Sequence, residues 1–257
     1  LEPDAVVLVA TIKALKMHGG VAVDELGKEN LKALGDGCKN LERHIRNLGK
    51  FGVPVVVAIN HFTADTDAEV KLVQEYCAKY HVKAIKCTHW ADGGKGTIEI
   101  AEHVVKLCES GAAQFRTLYE DDMSLWDKTA TIAREIYGAD DIIADKKIRE
   151  QFEQYEKEGY AKYPICMAKT QYSFSTDPNL RGAPSPGWAG SSRITVQPDR
   201  DSASRSGIRL NQLMAVRGGQ RASVDFFELL DDGLCIVRER CLTFKRVQDN
   251  AFQQVAQ

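Results

Sequence analysis

Ala5–Ala10 and Val53–Ile59 are short, continuously apolar runs, and Val82–Cys87 is a third strand-like stretch. Runs of this length without polar alternation are expected of strands buried on both faces. Between the first two lies a helical stripe, with Leu31, Leu34, Cys38, Leu41, Ile45 and Leu48 spaced by three or four residues. Thr66-Asp67-Ala68-Glu69 reads as a helix start with acidic residues at the positive dipole end. The helix it opens carries Val70, Val73, Cys77 and Tyr80 on one face. Gly93-Gly94-Lys95-Gly96 leads into a further helix whose inner face is expected to carry Ile98, Ala101, Val105 and Cys108. Strands alternating with helices predict an α/β fold: a parallel sheet with flanking helices and right-handed crossovers. Ligands of such sheets bind beyond the carboxyl ends of the strands.

The pattern changes after Ala112. Residues 121–136 and 145–158 read as two charged helices, before an apolar return at Ile165-Cys166-Met167-Ala168. Residues 185–220 are rich in Ser, Arg and Gly with little periodicity, and read as an irregular tail. Val224–Leu230 and Leu234–Val237 flank Asp231-Asp232-Gly233, a hairpin signal. The expected division is 1–184 and 185–257. The first strand follows Leu1 almost at once, which reads as a fragment boundary.

Composition narrows the function classes. Net charge is -2, which argues against nucleic acid or a membrane surface as partner. No apolar run approaches the roughly 20 residues that span a bilayer, and no signal peptide is visible. The seven cysteines lack CxxC spacing, so buried free thiols in a reducing cytosol are expected and no metal ligand is assigned.

The candidate chemistry sits where strands end. Asn60-His61-Phe62-Thr63-Ala64-Asp65 follows the second strand. Its amide and carboxylate can read the edge of a nucleobase and Phe62 can stack on a ring; the alternative is a turn that caps the next helix. Thr88-His89-Trp90-Ala91-Asp92-Gly93-Gly94-Lys95-Gly96 follows the third strand. Glycines there let backbone approach a ligand, although the order Gly-x-x-x-x-Gly-Lys-Ser/Thr is absent. Lys13, Lys16 and His18 precede Gly19-Gly20 and can hold an anion, or lie on a solvated turn. Lys169, Thr170 and Gln171 offer donors after the apolar return.

Taken together, Ala14-Leu15-Lys16-Met17-His18-Gly19-Gly20, Val53-Pro54-Val55-Val56-Val57-Ala58-Ile59-Asn60 and Ala168-Lys169-Thr170-Gln171-Tyr172-Ser173 closely resemble formate–tetrahydrofolate ligases over about residues 1–184. The resemblance implies a P-loop NTPase-like sheet, incomplete at both ends, and ATP-dependent joining of formate to tetrahydrofolate through formyl phosphate. It implies ATP and Mg²⁺, small-molecule substrates, a homo-oligomer and a cytoplasmic setting, with a mitochondrial one left open. It places Lys16 and His18 in catalysis, Asn60, Phe62, Asp65, Trp90, Gly93 and Gly94 at the nucleotide, and Lys169, Thr170 and Gln171 at substrate. His61 receives no role, because relatives vary there. The family's phosphate-binding Gly-Lys-Thr loop lies upstream of the segment matching Leu1. Beyond Pro184 the resemblance stops, which reads as a frame shift, retained intron or misjoined exon. The expectation is therefore a fragment inactive alone, or else a silent nucleotide-binding or subunit-pairing module.

Overall fold

The apolar runs fold as parallel strands. The computed structural model describes residues 2–165, Phe174 and the segments 193–198, 208–210 and 234–237. It divides into two units, Leu1–Arg116 with Ser223–Gln257, and Thr117–Ala222. The boundary expected near Pro184 and the expected strand partner Val224–Leu230 lie outside the described residues.

In the first unit, β1 (Ala5–Ala10), β2 (Val55–Asn60) and β3 (Lys83–Cys87) pair in parallel, and β7 (Leu234–Val237) runs antiparallel on the free side of β1. Leu8 pairs with Val57, and Asn60 with Cys87, so the carboxyl ends of β2 and β3 are level. The second strand begins two residues later than its apolar run. Pro54 has no N–H to give the ladder, though its carbonyl accepts from Val6 N–H at 2.9 Å.

Alternation along β2 supplies two cores. Val57 and Ile59 face α2 (Leu31–Gly49) and α3 (Asp67–Ala78), joining Leu34, Cys38, Leu41, Ile45, Val70, Val73 and Cys77. Val56 and Ala58 face the other way, joining Ile85, Ile100 and Val104. The last two belong to α5 (Ile98–Glu109). Its inner face therefore differs from the expected one: Ile98 is exposed, and Ile100 and Val104 are buried. The segment is apolar on two adjacent stripes, and the sheet selects between them.

A short helix that the pattern did not predict, α1 (Ile12–His18), follows β1 directly. Thr11 caps it by accepting from Ala14 N–H. Helices α1 and α2 touch through their backbones. A Cβ on Gly37 would stand 1.7 Å from the Leu15 carbonyl oxygen, and one on Gly19 would stand 1.8 Å from that of Ala33. Close helix contact is thus what requires the first glycine of the Gly19-Gly20 pair.

In the second unit, α6 (Leu125–Glu135) and α7 (Lys146–Tyr155) enclose a core of Leu125, Ala133, Ile142, Ile148 and Phe152. Here β4 (Asp141–Ile143), β5 (Arg193–Pro198) and β6 (Ile208–Leu210) form a small parallel sheet in that order. The first helix starts later than expected because Ser124 caps it, accepting from Asp127 N–H at 3.0 Å. Among the described residues no helix is long and apolar enough to cross a membrane. Burial raises the thiols of Cys38 and Cys77 to about 12, which leaves them inert.

Candidate functional site

The carboxyl edge of the first unit's sheet gathers three of the expected segments. Phe62 stands two residues past β2, and Trp90 stands on the one-turn helix α4 (His89–Asp92) after β3. Their ring centroids are 6.4 Å apart with planes inclined at 53°. Lys13, in the first turn of α1, places Nζ 5.3 Å from the Phe62 centroid. His61 N–H donates to the Cys87 carbonyl, which ties the two loops together. Trp90 is 69 % exposed, so the face of the pair on its side is open to solvent.

Asn60 closes β2 with its side-chain oxygen buried and without a hydrogen-bond partner. An acceptor shut off from water in this way costs about 1–3 kcal/mol. It marks a place where a donor on a ligand would be stabilising. Asp65, expected beside it at a base edge, turns inward. Its carboxylate accepts from Phe62 N–H at 2.8 Å while its own N–H donates to the Phe62 carbonyl, so it shapes the turn that presents Phe62. Gly93 adopts φ 58°, a conformation glycine takes without strain, and ends α4. Gly94 accepts from the Thr97 hydroxyl, and Thr88 N–H donates to Gly96, closing this loop on itself. Burial lowers the pKa of His89 below the usual histidine range.

Lys16 and His18 are on the buried side of α1. The Lys16 ammonium is fully enclosed. It donates to Glu69 Oε1 at 2.8 Å and to the Lys28 carbonyl at 2.9 Å. Glu69 is a hub that sequence reasoning did not single out. Its Oε1 also accepts from Asn30 N–H at the start of α2, and its Oε2 accepts from Thr66 N–H at the start of α3. The Thr66–Glu69 pair forms a capping box, legible as a local motif, but nothing local announces a bond to a residue 53 positions away. Burial by itself would raise the Glu69 carboxyl. Hydrogen bonds from Lys16, Thr66 and Asn30, with the charge of Lys16, outweigh it and hold the pKa below the ordinary value.

Lys169, Thr170 and Gln171 lie outside the described residues. Among the described residues no group of three His, Cys, Asp or Glu side chains is placed to hold a metal ion.

The family model described as formate–tetrahydrofolate ligase matches residues 1–192. Proteins named formate–tetrahydrofolate ligase are similar throughout this region. That of Granulibacter bethesdensis is 60% identical over 185 residues, covering 72% of this chain and 32% of that protein. That of Sinorhizobium fredii is 58% identical over 185 residues, covering 72% and 33%. That of Pelagibacter ubique is 58% identical over 184 residues, with the same shares. The chain spans about a third of the length of these curated relatives. By both the matched model and these identities, the chain belongs to the formate–tetrahydrofolate ligase family.

Proposed function

We propose that this chain forms part of an ATP-dependent formate–tetrahydrofolate ligase and supplies the sheet edge that receives a flat heterocycle of the reaction. The observation that carries the reading is the Phe62–Trp90 pair at the level carboxyl ends of β2 and β3, in a chain of this family. Two rings inclined at 53° form a wedge that admits a planar ring as the planes open towards parallel. Asn60 closes the strand that leads to Phe62, and its buried, unpartnered side-chain oxygen is the acceptor assigned to an N–H on the ring edge. Both the nucleobase of ATP and the pterin of the folate have this chemistry.

In the proposed reaction, formate oxygen attacks the γ-phosphorus of ATP, and ADP leaves with the electron pair of the broken P–O bond. The N10 amine of tetrahydrofolate then attacks the formyl carbon. Phosphate departs and the amine loses its proton, giving 10-formyltetrahydrofolate. Gly93 and Gly94 allow close backbone approach beside Trp90, and His18 stands at the last turn of α1 before Gly19. Lys16 works from inside, through Glu69, by fixing α1. Lys169, Thr170 and Gln171 are assigned to phosphate or folate. Magnesium finds no cluster of side chains among the described residues, and no step is assigned to it.

These residues contain no Gly-x-x-x-x-Gly-Lys-Ser/Thr loop. The 257-residue chain alone is therefore proposed to bind but not to turn over. The test is titration of tryptophan fluorescence with MgATP and with tetrahydrofolate, alongside an assay for 10-formyltetrahydrofolate. A saturable change that Trp90→Phe abolishes, without product, is expected. No change with either ligand overturns the ring-binding reading, and product formation overturns the division between binding and turnover.

A further inference from the structure

The two lysines of α1 have different circumstances. Lys16 has its ammonium buried, with two of its three donors committed to Glu69 and the Lys28 carbonyl. Lys13 is one helical turn earlier and only half-buried, on the side of α1 that faces the aromatic pair. Its ammonium lies over the face of Phe62, and among the described residues no carboxylate pairs with it. A cation held against a ring keeps its remaining N–H donors on the side away from that ring.

We propose that Lys13 is the contact for an anionic group carried by the flat-ring ligand, and that the Lys16–Glu69 pair is the post that sets where Lys13 stands. This rests on the reading of Phe62 and Trp90 as a ring site. The ligand is then a planar heterocycle bearing a negatively charged tail a few bonds from the ring, either the phosphates of a nucleotide or the carboxylates of a folate. The mechanical link runs through both partners of the cation–π contact. Lys16 anchors α1, which carries Lys13. Glu69 accepts from the first N–H of the α3 cap, immediately after the turn that carries Phe62. One buried carboxylate therefore fixes both the cation and the ring beneath it.

The experiment compares tailed and tailless probes on the full chain by tryptophan fluorescence: MgATP against adenosine, and folic acid against pterin. In the wild type, one tailed probe is expected to bind about tenfold more tightly than its tailless counterpart, as for one charge-assisted hydrogen bond. Lys13→Met is expected to erase that ratio and leave the tailless affinity and the unfolding midpoint in place. Lys13→Arg is expected to restore most of it. Which pair shows the ratio identifies the tail as phosphate or carboxylate. A tailed-to-tailless ratio unchanged in Lys13→Met, or absent from the wild type, overturns the assignment of Lys13 while the ring site stands. If neither ring binds the wild type at all, the ring site itself is wrong and this assignment falls with it.

Discussion

Lys16 in the first unit and Lys128 in the second are both fully buried, and they are held in opposite ways. Lys16 meets an ionised partner, Glu69, which is itself bonded to backbone N–H groups at the starts of α2 and α3. Lys128 sends its three donors to backbone carbonyls, those of Asp121 and Ala161 at 2.7 Å and of Tyr163 at 3.3 Å, with the Tyr119 ring 5.9 Å away. The first arrangement compensates charge with charge and joins three helices. The second compensates charge with dipoles and gathers irregular chain around one helix. The difference teaches where each unit is vulnerable. Removing one member of an ion pair strands the other, whereas removing a caged ammonium strands only carbonyls that water can reach as the chain relaxes.

The sharpest way to break this contrast is Lys16→Met. It leaves the Glu69 carboxylate buried with two backbone donors and no counter-charge. A loss of about 3–5 kcal/mol is expected for breaking a buried pair in this way. Equilibrium denaturation reads it in a Trp126→Phe, Trp188→Phe background, where Trp90 reports on the first unit alone. Acid probes the same hub. Because the Glu69 pKa is depressed, its contribution is complete above the ordinary glutamate value of 4.5 and is lost as pH falls through the lower native value. Glu69→Gln is therefore expected to flatten the acid limb of stability against pH. Some slope will survive from Glu42: burial raises its pKa, but hydrogen bonds from Tyr80, Tyr76 and Arg46 outweigh that and lower it. An acid limb identical in wild type and Glu69→Gln would show that the hub is not ionised.

Lys128→Met is the counterpart in the second unit, read through Trp126 after Trp90→Phe and Trp188→Phe. A loss of about 2 kcal/mol is expected, because the neutral side chain leaves unsatisfied carbonyls and no buried charge. A loss as large as that of Lys16→Met would overturn the comparison. It would mean that the carbonyl cage organises the second unit as strongly as the ion pair organises the first.

The sequence carried the strands of the first unit and the stripes of α2 and α3, because parallel strands buried on both faces must read as apolar runs. It did not carry α1. Seven residues are too few for a period to declare itself, and Lys16 at a buried position reads as a polar break in the stripe. In α5, Ile98 and Ile100 are equally apolar, and only the sheet beneath decides which faces inward. The site divides in the same way. Phe62 and Trp90 were placed by the rule that ligands meet strands at their carboxyl ends, and the structure brings the two rings together. The direction in which a side chain turns was beyond that rule. Asp65 folds back onto Phe62 N–H, and Lys16 turns into the core while Lys13 stays at the edge.

The smallest expected effect separates the ion pair from the cap beside it. Thr66 Oγ1 accepts from Glu69 N–H at 3.2 Å and donates to Glu29 Oε2 at 2.6 Å. Thr66→Ala removes both bonds, yet keeps the backbone N–H of residue 66 that donates to Glu69 Oε2. The hub therefore survives while half of the capping box is lost. About 1 kcal/mol is expected, the usual worth of an N-cap hydroxyl, with the acid limb unchanged because Glu69 keeps Lys16, Asn30 and the Thr66 position as donors. If Thr66→Ala instead costs as much as Lys16→Met, the first unit is held by the helix start rather than by the buried charge. The contrast between Lys16 and Lys128 would then be one of local capping. A small cost with an intact acid limb places the stabilisation in the carboxylate that joins α1, α2 and α3.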